Sequence, residues 1–204
     1  MVRTIDFYFD FISPFSYLAQ LKLPAIARRT GCRLEYWPID IPEAKIAAGN
    51  YGPSNREVMP KIKVLKADLE RWAKRYRVPL TFPASFDCAA WNCAALFARG
   101  KDRAEAFVSD AYQRIWGTGI DPRNRDEIRA SAAAAGLNPD DLIDFIESSV
   151  GQNEYRKARA QAIQRGVFGA PMMFVDDEIF WGNDRLEFLE EYLDATGGNL
   201  GEEK

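Results

Sequence analysis

Apolar side chains follow two different rhythms along this chain. Residues 4–10 crowd Ile5, Phe7, Tyr8 and Phe9 into a short run that stops ahead of Ser13-Pro14, which predicts a mostly buried strand. Ser13 is a natural N-cap, and Pro14 sits at the first helical position, where a missing N–H costs nothing. One helix is predicted through Phe15, Tyr17, Leu18, Leu21, Leu23 and Ile26, ending before Gly31. Residues 34–39 predict a second strand, and a β-α-β opening implies a parallel pair with a right-handed crossover. From Val58 to about Gly166 the spacing turns helical. Leu65, Leu69 and Trp72 share one face, as do Leu142, Phe145 and Ile146, and Asn138 can cap the segment opening at Pro139. Strand character returns at Met172–Val175 and Glu178–Trp181, joined by Asp176-Asp177 as a hairpin. A last helix opens at Asn183 or Asp184 and carries Leu186, Leu189, Tyr192 and Leu193.

This order, β-α-β, a helical block, then β-β-α, is that of an α/β thioredoxin-like fold with an inserted all-helical subdomain. Residues 1–57 and 166–204 would form the thioredoxin-like domain, and 58–165 the insertion. Composition narrows the chemistry. The 204 residues include no histidine, which excludes a Ser-His-Asp triad, a Cys-His pair and His-ligated zinc. A formal charge of −3 argues against a nucleic-acid partner. Three cysteines, Cys32, Cys88 and Cys93, stand in no metal-like or C-x-x-C spacing, so a reducing compartment and no metal are expected, with Cys88 and Cys93 as buried thiols. The amino terminus reads as a strand and not a signal peptide, and no apolar run is long enough to span a bilayer. A cytoplasmic protein without a membrane partner is the expectation.

Three places carry candidate chemistry. Ser13 and Ser16 stand at a strand-to-helix junction where thioredoxin-like proteins bear C-x-x-C. Plain capping accounts for both hydroxyls, Ser13 satisfying an orphan N–H and Ser16 adding a local bond. The functional alternative uses the same electrostatics: a helix start favours an anion, and a hydroxyl there can donate to the sulfur of an external thiol, since the chain has no sulfur of its own at this spot. Ala170-Pro171 opens the later strand. A trans proline there would be ordinary, whereas a cis proline would face the helix start and let Ala170 offer its backbone to a peptide-like ligand. The segment Trp181-Gly182-Asn183-Asp184 is either a turn with an N-cap or a place for an α-amino acid head group, such as the γ-glutamyl end of glutathione.

The runs Phe7 to Ala19, Gly49 to Arg56, Asp68 to Ala73, Val167 to Pro171 and Phe180 to Leu186 together resemble the 2-hydroxychromene-2-carboxylate isomerases, which belong with the kappa-class glutathione transferases. The resemblance extends from Ile5 to about Leu193. It implies a dimeric, glutathione-dependent isomerase of naphthalene-type aromatic breakdown, acting on a small aromatic carboxylate by reversible thiolate addition. It implies Ser13 as the catalytic residue and glutathione contacts at Ser13, Ala170, Trp181, Gly182, Asn183 and Asp184, with further ones at Asn50 and Lys61. Lys45, Asn55 and Arg56 are implied as substrate contacts, and a tyrosine of the family's naphthalene enzymes falls on Phe86, which lacks the hydroxyl. A conjugating glutathione transferase and a non-catalytic peptide-binding module remain open as rival readings.

Overall fold

The computed structural model describes residues 2–55 and 57–197. Strands β1 (Thr4–Phe9) and β2 (Arg33–Pro38) pair in parallel, with Phe7 opposite Tyr36, as the β-α-β opening requires. The hairpin of β3 (Met172–Val175) and β4 (Glu178–Trp181) completes a four-stranded sheet in the order β2-β1-β3-β4, β3 running antiparallel to both neighbours. Its turn falls on Asp176-Asp177 as expected, and Asp176 adopts φ 53°, a conformation Asp tolerates better than most residues.

The predicted single helix after Ser13 is in fact two, α1 (Pro14–Gln20) and α2 (Leu23–Thr30). The cause is Pro24, which lacks the N–H that would bond the Gln20 carbonyl and whose ring would strike it. The chain bends at Leu21-Lys22, Pro24 enters the first turn of α2, and α2 ends on Gly31 at φ 68°. A short helix that the sequence reading leaves out, α3 (Ile41–Ala47), follows β2. Asp40 caps it by accepting the Glu43 N–H at 2.9 Å, with Pro42 in its first turn.

Between β2 and β3 lie α4 (Met59–Tyr76), α5 (Ala89–Gly100), α6 (Ala104–Tyr112), a π-helical turn (Gln113–Thr118), α7 (Arg125–Ala134), α8 (Pro139–Glu147) and α9 (Ser149–Gln164). Asn138 caps α8 as expected, accepting from the Asp140 and Asp141 N–H groups. A 3₁₀ turn (Asn183–Arg185) leads into α10 (Leu186–Gly197). Alternation along β1 sends Phe7 and Phe9 to one face and Tyr8 to the other. Phe9 and Phe11 meet edge to face at 5.2 Å, and Phe11 lies 4.7 Å from Tyr112 of α6, so the sheet and the inserted helices share one aromatic core. Cys88 and Cys93 are both buried, and burial pushes the Cys93 thiol up to about 11. Among the described residues no helix is long and apolar enough to cross a membrane.

Candidate active site

β1 delivers the chain into a loop whose backbone is held largely by side chains of the inserted helices. The Phe11 N–H donates to Asn92 Oδ1 of α5 at 3.2 Å, and its carbonyl accepts the Trp116 indole N–H at 2.7 Å. The Asp10 carbonyl accepts from the Tyr112 hydroxyl at 3.0 Å and from the Ser13 N–H at 2.9 Å. Asn92, Tyr112 and Trp116 are buried, so each of these bonds replaces one that water cannot supply.

Ser13 follows, 5% exposed and in extended conformation, at the start of α1. Its Oγ accepts from the Ser16 N–H at 3.2 Å and donates to the Ala170 carbonyl at 3.3 Å. The Ala170-Pro171 peptide is cis. The Gly182 N–H donates to the Pro171 carbonyl at 3.0 Å, which fastens the 181–184 segment beside the same junction, and the 3₁₀ turn packs on α1. Ser13, Ala170 and the 181–184 segment, distant in sequence, are thereby brought together.

Within that segment Trp181 is more than half exposed and stands edge to face on Phe168 at 4.8 Å. Gly182 adopts φ 111°, a backbone conformation that residues with a side chain rarely take, so the position favours glycine. Asn183 is buried and lies by the Tyr76 phenol of α4, but its Nδ2 makes no well-formed bond to any described residue. Asp184 is half exposed and pairs with Arg185 at 3.1 Å. The buried Ser16 hydroxyl lies by the Tyr112 phenol but makes no well-formed bond to any described residue, so the local bond expected of it is absent.

The remaining candidates form an outer arm. Lys45 on α3 directs its ammonium to the carbonyls of Gly52 and Pro53, and Lys61 donates to Asn55 Oδ1 at 3.3 Å. Asn50 is exposed beside them, and its N–H donates to the Lys45 carbonyl at 3.1 Å. Among the described residues no hydrogen bond joins this arm to Ser13, and Arg56 lies outside the described residues. Phe86 leans on Trp116 at 6.1 Å with Phe82 alongside at 5.6 Å. Because Trp116 also bonds the Phe11 carbonyl, this aromatic shelf adjoins the Ser13 loop.

Asp10, Asn92, Tyr112 and Trp116 escape a reading of the sequence. The available signal is Asp10 itself, a charge at the end of an apolar strand. Burial pushes its carboxyl up to about 6, against the hydrogen bonds from Asn92, Ile41 and Ile12 that favour the anion. A raised carboxyl stabilises the fold most below its unfolded value, and that contribution is lost as pH rises through about 6. The stability of the natural chain minus that of Asp10→Asn should therefore fall by about 2 kcal/mol between pH 4 and 7.5. Urea unfolding at several pH values measures this difference, and a flat one would show an unshifted Asp10.

Residues 4–194 match the DsbA-like thioredoxin domain. The chain is 75% identical over 193 residues to the 2-hydroxychromene-2-carboxylate isomerase of Sphingobium xenophagum, covering 95% of this chain and 99% of that one. The chain belongs to the 2-hydroxychromene-2-carboxylate isomerase family. A solved 2-hydroxychromene-2-carboxylate isomerase matches it with a TM-score of 0.88 at 39% identity, over 94% of this chain and 95% of that one. Glutathione S-transferase kappa 1 of Homo sapiens is a more distant relative, 24% identical over 94% of this chain and 91% of that one. The isomerase family is a family of enzymes, and the thioredoxin-like fold with inserted helices expected from the element order is the one it shares with DsbA-like proteins.

Proposed function

We propose that this isomerase-family enzyme interconverts 2-hydroxychromene-2-carboxylate and trans-o-hydroxybenzylidenepyruvate with glutathione as cofactor, as a cytoplasmic homodimer in the breakdown of naphthalene-type aromatics. The observation that carries this reading is the Ser13 hydroxyl bound to the Ala170 carbonyl, at a junction where neither Ser13 nor Ser16 supplies a sulfur. The residues present suit glutathione. Asn183 Nδ2 makes no well-formed bond beside the Tyr76 phenol, and an acceptor on the γ-glutamyl end would give it one.

When bound, glutathione would supply a thiolate for reversible addition to the conjugated enone that is exposed once the hemiketal ring C–O bond opens, so that the carbon–carbon bond is single while it rotates and the thiol is regenerated. The protein's task is to keep that sulfur ionised and to hold the substrate. Lowering a thiol by two pKa units takes about 2.7 kcal/mol. α1 has only seven residues, which limits its dipole, so the Ser13 hydroxyl bears most of the task. A hydrogen bond to an anion contributes about 1.5–3 kcal/mol, and a proton held by a 3.3 Å bond to Ala170 is readily redirected to a sulfur. Ala170 offers backbone groups, while Asn183 and Asp184 receive the amino acid head. Lys45 exchanges its loop carbonyls for the substrate carboxylate, aided by Arg56 and Asn55, and Phe86 with Phe82 flanks the aromatic ring.

The test is spectrophotometric, following chromene and conjugated pyruvate with glutathione at catalytic concentration. Turnover should continue far beyond the glutathione supplied. Stoichiometric loss of free thiol would instead favour conjugation, in keeping with the kappa-class relative, and no reaction would defeat the assignment. Asp184→Ala should weaken glutathione binding about fivefold, roughly 1 kcal/mol, because its carboxylate is half exposed and already paired. Calorimetry reads this directly, and an unchanged affinity would remove Asp184 from the site.

A further inference from the structure

Asp10 is a buried carboxylate that the mechanism above does not use. Its Oδ1 accepts from the Ile12 N–H at 3.1 Å and from Asn92 Nδ2 at 2.8 Å, and its Oδ2 accepts from the Ile41 N–H at 2.9 Å. Ile12 immediately precedes Ser13, whereas Ile41 opens α3, the helix of Lys45. Asp40 already caps α3, so the bond to Ile41 goes beyond ordinary capping. Asn92 spans the same two segments, accepting from the Phe11 N–H and donating to the Ile39 carbonyl at 3.0 Å.

A buried ion without a cationic partner is expensive, and a neutral replacement is often tolerated or stabilising. The carboxylate does what a neutral amide cannot, since both its oxygens accept and three donors converge on it. We infer that Asp10 is a positioning residue that clamps the Ser13 loop to the amino end of α3, so that the thiol-activating and carboxylate-holding sides of the site are presented in one fixed relation. This rests on the roles assigned above to Ser13 and Lys45.

The groups around Asp10 leave it to titrate largely by itself. The charged group acting on it is Asp40, which lies 3.7 Å from Arg159 of α9. The Tyr112 phenol of α6 and the Tyr155 phenol of α9 are held protonated by burial, Cys88 lies by Tyr112, and Asn92 of α5 is neutral. Protonating Asp10 turns one acceptor into a hydroxyl facing an N–H donor and removes the negative charge that strengthens the bond to the other oxygen, which loosens the clamp.

The decisive measurement is an amide ¹H–¹⁵N titration of the intact protein without glutathione. The Ile12 and Ile41 amides should shift together with one midpoint near 6, and neither should shift in that range in Asp10→Asn. Asp40→Asn, an equally good cap, removes the facing negative charge and should lower the shared midpoint. In the assay at pH 8, Asp10→Asn should lower kcat about tenfold or more, with glutathione affinity within about twofold. Separate midpoints, no titration, a midpoint unmoved by Asp40→Asn, or an undiminished kcat in Asp10→Asn would each overturn the clamp. If Asp10→Asn does not fold, the titrations of the natural chain and Asp40→Asn still decide. If the enzyme shows no isomerase turnover, the reading of the site fails while the amide titration still tests the clamp.

Discussion

Ser13→Ala should fold and still bind glutathione, yet lose about 10²–10³-fold in kcat, the cost of removing a preorganised donor to a developing or bound anion. The loss of fold stability should be smaller, about 1 kcal/mol, because what the structure loses is the cap on the Ser16 N–H and a long bond to Ala170. The two effects separate in one preparation. Thiolate absorbance of bound glutathione should titrate at higher pH in the variant, and its kcat should fall while the unfolding midpoint shifts only slightly. A thiolate titration identical in both proteins would reduce Ser13 to a helix cap.

Gly151→Ala should destabilise the chain by about 3 kcal/mol, lowering Tm by roughly 6–12 °C. Helix propensity alone predicts the opposite sign, a gain of up to about 1 kcal/mol in α9. The corner between α8 and α9 reverses it. A Cβ on Gly151 would lie 2.0 Å from the Phe145 carbonyl oxygen and 2.9 Å from its carbon, and this obstacle is backbone, which cannot swing away. The same oxygen accepts from the Ser148 N–H at 3.2 Å and its hydroxyl at 2.8 Å, so relief requires the corner to open. Gly100→Ala, at the end of α5 with open space about it, serves as the control and should leave Tm unchanged or slightly raised. A Gly151→Ala protein melting at or above the natural chain would show that the corner relaxes freely.

Features set by neighbouring residues were legible in the sequence. Ser13 with Pro14 declares a helix start, Asn138 with Pro139 another, and Asp176-Asp177 between two apolar runs declares a hairpin, because capping and turn chemistry act over a few bonds. The β-α-β opening then dictated a parallel pair, since a crossover of that length cannot return antiparallel through a tight turn. The break at Pro24 was written in the chain but outweighed by the apolar spacing across it. α3 was obscured by its seven residues, which are too few to establish a helical period.

The sequence by itself thus determined the order of the strands with a helical block between them, the absence of histidine chemistry and the presence of a hydroxyl pair in place of a thiol pair. Tertiary structure alone decided what holds that hydroxyl in place. Asn92 reaches Asp10 across 82 residues, Trp116 reaches Phe11 across 105, and Ser13 meets Ala170 across 157. No local preference selects such partners. They are chosen when the sheet and the inserted helices close over one aromatic core and exclude water, which leaves each polar group of the loop to find a protein partner or go without.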